Sequence, residues 1–149
     1  MPPPSDGAER GSAALEFIFV GLLMLVPLVY LIVALGSIQG QSLGAEAGAR
    51  HIARAIATAE GADDAARKAE LVLASVVEEY GLDAGAVALT TTCRPAGVPC
   101  PSPGATVVVT LHTAVALPLV PLIPGLDGIA SIPVEASALQ KVSRVWGLG

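Results

Sequence analysis

Charged residues are scarce in this chain, and aromatic residues are scarcer. Only 14% of the 149 residues are Asp, Glu, Lys or Arg, and 3% are Phe, Trp or Tyr, whereas about 25% of an ordinary soluble domain is charged. The eight basic residues are scattered, and the formal net charge is −5. Because nucleic-acid binding depends on clustered Lys and Arg that neutralise phosphates, the composition argues against a nucleic-acid partner.

The motifs of common enzyme active sites are also missing. The sequence has no G-x-S-x-G, H-E-x-x-H, phosphate-binding glycine loop or paired C-x-x-C. Ser102 lies in "CPSPG", where proline on both flanks departs from a nucleophile elbow, and nothing assigns a base to it. We therefore expect a non-enzymatic protein without a metal or a cofactor.

Charge is absent altogether from one long segment. Residues 17–45 are 29 consecutive residues without Asp, Glu, Lys, Arg or His, more than the roughly 20 that cross a bilayer core. They predict a transmembrane helix over residues 12–38 that continues as a helical stalk over residues 39–60. A secretory signal has an apolar core of only about 7–15 residues, and a lipoprotein signal requires a cysteine. A simple signal anchor fits but gives no reason for Glu16.

Glu16 stands at the leading edge of the apolar run, in the pattern G-x-x-x-x-E-F formed by Gly11, Glu16 and Phe17. This pattern resembles the processing site of type IV prepilins, and the chain as a whole is similar to the TadE-like pseudopilins of tight-adherence (Flp-type) pili. The resemblance implies that a prepilin peptidase cuts between Gly11 and Ser12 and removes a leader of residues 1–11. It also implies three partners besides the peptidase: other pilin subunits, an inner-membrane assembly platform and membrane lipid.

Cleavage at this position would give Glu16 a counter-charge. The new α-amino group of Ser12 has a reference pKa of about 7.7–8, and Ser12 and Glu16 are i and i+4 on one helix face. An acid at a bilayer centre costs roughly 2.5–3.5 kcal/mol, so the amine of a neighbouring subunit would relieve Glu16 and align subunits in a filament. The alternative is a glutamate that starts the helix and reaches the membrane interface.

Four glycines recur every four residues beyond the apolar run: Gly36, Gly40, Gly44 and Gly48. Each interior glycine costs a helix up to about 1 kcal/mol relative to alanine, whereas small residues at this spacing let two helices approach closely. The stripe predicts packing against a helix of a pilin or partner subunit. A chance result of Ala/Gly-rich composition stays open beside it.

The rest of the chain, residues 61–149, predicts a small extracytoplasmic domain of the α+β class. Residues 62–80 read as an amphipathic helix that Gly81 stops, with a break at Glu60 and Gly61 before it. Three strands are expected at residues 85–93, 105–117 and 131–145. The alternation of Val107, Val109 and Leu111 with polar residues indicates a half-buried antiparallel sheet, with His112 on the exposed face.

Two cysteines, Cys93 and Cys100, bracket the turn-rich stretch "RPAGVP". In a domain outside the membrane they predict a disulfide, because zinc requires four ligands and neither His51 nor His112 is near in sequence. The disulfide and Arg10 together indicate a single-pass protein of the cytoplasmic membrane with its N-terminus inside and its C-terminal domain outside.

A proline- and leucine-rich loop at residues 118–130 has no charge before Asp127. The composition of this loop is equally consistent with a contact surface and with a lid over the sheet core. Two functions follow from the whole sequence. One is a pseudopilin or minor pilin-like component of a tight-adherence pilus or a related type IV pilus or secretion assembly. The other is a permanently anchored envelope protein whose ectodomain binds a ligand or partner.

Overall fold

The fold comes from a computed structural model, which describes residues 10–118 and 131–146, the side chains of residues 10–12 excepted. Most of the predicted leader and residues 119–130 of the proline- and leucine-rich loop lie outside the described residues. The architecture is α+β, as the sequence predicts: two helices precede a three-stranded antiparallel sheet.

Helix α1 spans Arg10–Ala57, a length of 48 residues, and includes Pro27. Helix α2 spans Ala62–Tyr80, so the predicted break at Glu60 and Gly61 is confirmed. Gly81 adopts a left-handed backbone with φ of 62°, and its N–H donates to the carbonyl of Val77. Glycine reaches this conformation without a Cβ penalty, which is why the helix stops where the sequence predicts.

The sheet has the order β1-β2-β3, with β2 in the centre and both neighbours antiparallel to it. Its strands are Ala88–Arg94, Thr106–Ala116 and Ser131–Lys141. The prediction that the third strand continues to residue 145 is wrong. Val142 instead leaves the strand, is buried, and donates its backbone N–H to Ala105 O at 2.8 Å.

The central strand β2 carries the core on one face. Its odd-numbered residues from 107 to 115 are all buried, and its even-numbered residues from 106 to 114 are half-buried. The predicted period-two pattern is thus confirmed, with two residues of unexpected type: Thr113 lies on the buried face and Val108 on the opposite one.

Alanines of α1 complete this core. Ala45, Ala49, Ala53 and Ala57 are each at most 5% exposed and belong to one apolar cluster with Val107, Val109 and Leu111. The second half of α1 is therefore a layer of the α+β domain rather than a stalk that leads to it.

The chain divides into two units, Met1–Gly36 and Ser37–Gly149. The residues of the apolar cluster just described all lie in the second unit.

Candidate functional site

In the first unit most described side chains of α1 are apolar and exposed, although Ala34 is buried, Tyr30 is half-buried and Glu16 is charged. Phe17 is 79% exposed, Phe19 74% and Leu23 71%. A helix that is apolar on every side is stable only in apolar surroundings, either a protein core or a membrane. The segment is thus compatible with a membrane span by its length and composition.

Within the described residues, α1 is the one helix whose length and composition suit a membrane crossing, over Ala13–Ala57. It lies near the N-terminus, where the sequence predicts a single span. Its uncharged stretch is long enough at about 1.5 Å per residue to cross a hydrocarbon layer of about 30 Å.

Glu16 is the single charged residue of the exposed apolar segment and is itself exposed. Helix α1 begins at Arg10, so the Gly11–Ser12 bond lies in its first turn and Glu16 follows Ser12 by four residues. Removal of the leader would bring Glu16 close to the new end of the helix, where the helix dipole favours a negative charge.

The glycine stripe separates into two pairs. A Cβ on Gly44 would overlap the ring of Tyr80, and a Cβ on Gly48 would lie 2.8 Å from Val76 Cγ1. A Cβ on Gly36 or Gly40 would have no neighbour within 4 Å. Gly44 and Gly48 therefore lie against α2 of the same chain. Packing against another subunit stays a prediction for Gly36 and Gly40.

The predicted disulfide between Cys93 and Cys100 is present, with the Cα atoms 5.4 Å apart. It joins the end of β1 to the loop that leads into β2.

His112 lies on the outer face of the sheet, as predicted, with its side chain 45% exposed and its Nδ1 atom 3.7 Å from Glu135 Oε2. No group of three or more His, Cys, Asp or Glu in the described ranges is placed to hold a metal ion.

Asp64 makes three polar contacts in the second unit. Its Oδ2 atom lies 2.7 Å from Lys68 Nζ, its Oδ1 atom lies 2.8 Å from Arg67 Nη2, and Oδ2 also accepts the backbone N–H of Glu60 at 3.1 Å. The hydrogen bond from Lys68, followed by that from Glu60, holds the pKa of the Asp64 carboxyl below its usual value. The sequence indicates the helical pairing but not the bond to Glu60.

Trp146 was not singled out by the sequence. Its Nε1–H donates to the carbonyl of Ile56 at 3.3 Å, near the C-terminal end of α1, where the last turn of a helix leaves carbonyls without intrahelical partners. No periodicity or motif marks this residue, because its role depends on a contact across 90 positions of the chain.

Comparison of the chain with protein-family models, with curated proteins and with solved structures finds no match. The molecule is therefore classed by its own features. It is an α+β domain with a three-stranded antiparallel sheet, preceded on the same chain by a long apolar helix that is a candidate for a single membrane span.

Proposed function

We propose that this protein is a pseudopilin or minor pilin-like component of a tight-adherence (Flp-type) pilus or a related type IV pilus or secretion assembly, processed after Gly11 by a prepilin peptidase. One observation carries the proposal. The large aliphatic and Phe side chains between Leu15 and Leu35 are exposed, and the single charged residue among them is Glu16, four positions after the candidate N-terminus Ser12.

In the proposed mechanism Glu16 has no ammonium partner in the precursor and gains one, the Ser12 ammonium group of another subunit, in the filament. In the precursor the helix anchors the chain in the cytoplasmic membrane, with the N-terminus inside and the disulfide-bonded domain outside. Cleavage releases the leader and creates the Ser12 ammonium group. In a filament the ammonium of one subunit neutralises Glu16 of the next. Apolar side chains such as Phe17, which contact lipid in the precursor, then pack against helices of neighbouring subunits. The processed subunit then leaves the membrane for a surface pilus.

The exposed glycines fit the same proposal. Gly36 and Gly40 have open space where a side chain would be, and small residues allow the backbones of two helices to approach closely. A neighbouring α1 helix of a pilin subunit is the proposed occupant of that space.

A permanently anchored envelope protein is the second candidate. It is favoured by the separate core of the second unit, which would allow the domain to bind a ligand or partner without leaving the membrane. This candidate requires neither cleavage at Gly11 nor any role for Glu16.

Substitution of Glu16 tests the proposed function. Glu16→Gln keeps the shape of the side chain and removes its charge, and Glu16→Leu removes its polarity as well. Both variants are expected to insert and to lose their leader, but to fail in assembly with the native pilus components, measured as sheared surface filaments. Glu9→Gln is the matched control, because cleavage removes that residue before assembly. Wild-type assembly by both Glu16 variants would refute the role of this acid.

A further inference from the structure

We propose that the Cys93–Cys100 disulfide is a redox-sensitive crosslink that is reduced and re-formed through the Cys100 sulfur. While it is intact, the crosslink holds the loop after β1 in place as one wall of a groove against α2. The proposal concerns the second unit alone and does not depend on the role of the apolar helix.

The two cysteines differ in accessibility. Cys93 is half-buried in β1 and packs against the apolar core, whereas Cys100 is exposed in the loop. A disulfide is attacked at the sulfur that a thiolate can reach, in line with the bond that breaks. The exposed Cys100 therefore receives the attack, and Cys93 is the leaving group.

The loop that the disulfide holds lines a groove of about 320 Å³ between α2 and β1. Cys100 and Pro101 line it together with Leu89 of β1 and small residues of α2, among them Ala62 and Ala66. Further along, Gly104 N–H donates to Ser143 O at 3.3 Å and Ala105 N–H to Ser102 O at 3.2 Å. The end of the loop is thus tied by hydrogen bonds, and Cys100 is tied by its covalent link to β1.

The reaction needs a dithiol as co-reactant. One thiolate of the dithiol attacks Cys100 Sγ and forms a mixed disulfide, while the Cys93–Cys100 bond breaks. Cys93 Sγ departs with the electron pair and takes up a proton from water. The second thiol of the reductant then displaces Cys100, so that two electrons pass from the dithiol to the protein and the reductant leaves as a disulfide. Closure by an oxidised dithiol is the same sequence in reverse.

Glutathione is the probe for the attacked sulfur. The oxidised full-length protein is incubated with reduced glutathione, quenched with acid at short times and mapped by peptide mass. Glutathione is expected on Cys100, with Cys93 as the free thiol. In single variants, the Cys100 thiol of Cys93→Ser is expected to react with an aromatic disulfide reagent at least about tenfold faster than the Cys93 thiol of Cys100→Ser. Glutathione found first on Cys93, or equal rates in the two variants, would overturn the assignment.

Hydrogen exchange tests whether the disulfide holds the loop against β1 and α2. After reduction with dithiothreitol, amides of β1 and of residues 62–69 in α2 are expected to exchange faster, because the loop that shares the groove with them is released from β1. Amides of the central strand β2 are expected to keep their protection, which shows in the same sample that the domain stays folded. Unchanged exchange in β1 and α2, or loss of protection throughout the sheet, would contradict the proposed role of the disulfide.

Discussion

At the scale of single residues, Asp64 ties the start of α2 to the end of the preceding turn. Its carboxylate accepts the backbone N–H of Glu60, which lies just before the helix, and pairs with Lys68 and Arg67 inside the helix. Its side chain is only 17% exposed, whereas those of Lys68 and Arg67 are 42% and 67% exposed. Negative charge also suits the first turn of a helix.

Asp64→Asn is expected to lower the Tm of the domain at pH 7. Because the folded-state pKa of Asp64 is below the ordinary value of 3.8, the stabilisation is fully present above that ordinary value. It is lost as the pH falls through the lower, folded-state pKa. The Tm difference between wild type and variant should therefore disappear in strong acid. Thermal unfolding of both proteins, monitored by circular dichroism between pH 7 and pH 2, measures this Tm difference.

Asp63→Asn is the matched control for this prediction. Asp63 occupies the neighbouring position in the same first turn and is exposed. It should change the Tm much less than Asp64→Asn. Equal effects of the two variants would show that the helix dipole, rather than the three contacts of Asp64, accounts for the stabilisation.

Residue roles could be predicted only in part from the sequence. Helical spacing pairs both Asp63 and Asp64 with the following cations, and the choice of Asp64 depends on the path of the chain at Glu60. Trp146 gave no signal at all, because its hydrogen bond to Ile56 joins residues that are 90 positions apart in the sequence.

At the scale of elements, α1 uses its small residues in two different settings. In the second half of α1, alanines face the sheet and Gly48 lies between Val76 of α2 and Leu111 of β2. Further towards the N-terminus, Gly36 and Gly40 meet open space. A four-residue spacing predicts close approach of another element but contains no information about which element approaches, so the sequence could not separate the two settings.

Gly48→Ala and Gly40→Ala form a matched pair that tests this division. The Cβ of the first variant would lie 2.8 Å from Val76 Cγ1 and 3.4 Å from Leu111 Cδ2, and overpacking of this kind costs about 1–3 kcal/mol. The second variant meets no neighbour and gains up to about 1 kcal/mol of helix propensity. Denaturant unfolding should show the first variant destabilised and the second equal to or above wild type. Destabilisation of the unassembled protein by Gly40→Ala would contradict the open space.

The strands were easier to predict than their ends. The alternation along β2 fixes its buried face, because successive side chains of a strand point to opposite faces. The end of β3 is set by the backbone bond from Val142 to Ala105 and by the turn that carries Trp146. Neither contact leaves a pattern in the sequence.

At the scale of the whole molecule, the apolar cluster lies in the second unit, whereas most of the exposed large apolar side chains belong to the first. The apolar cluster runs from Ala45 to Val142, within Ser37–Gly149. The first unit contains the large apolar side chains of α1 from Leu15 to Leu35, which are at least 48% exposed.

Deletion of residues 1–36 is therefore expected to leave a soluble, folded domain. Residues 37–149 should unfold in one cooperative transition without detergent, whereas the full chain should require detergent or lipid to stay in solution. Circular dichroism and sedimentation of the truncated chain measure both properties. An insoluble or unfolded domain would show that the core depends on the apolar segment.

Intact-mass measurement tests most directly the proposal that the apolar helix is a processed pilin helix rather than a permanent anchor. The protein is expressed with its native prepilin peptidase, recovered from membranes and measured with its N-terminus sequenced. The account predicts a mature chain of 138 of the 149 residues, beginning at Ser12, and an unprocessed but inserted chain for Gly11→Ala. A wild-type chain that keeps residues 1–11, or one that begins near Ser37, would contradict it.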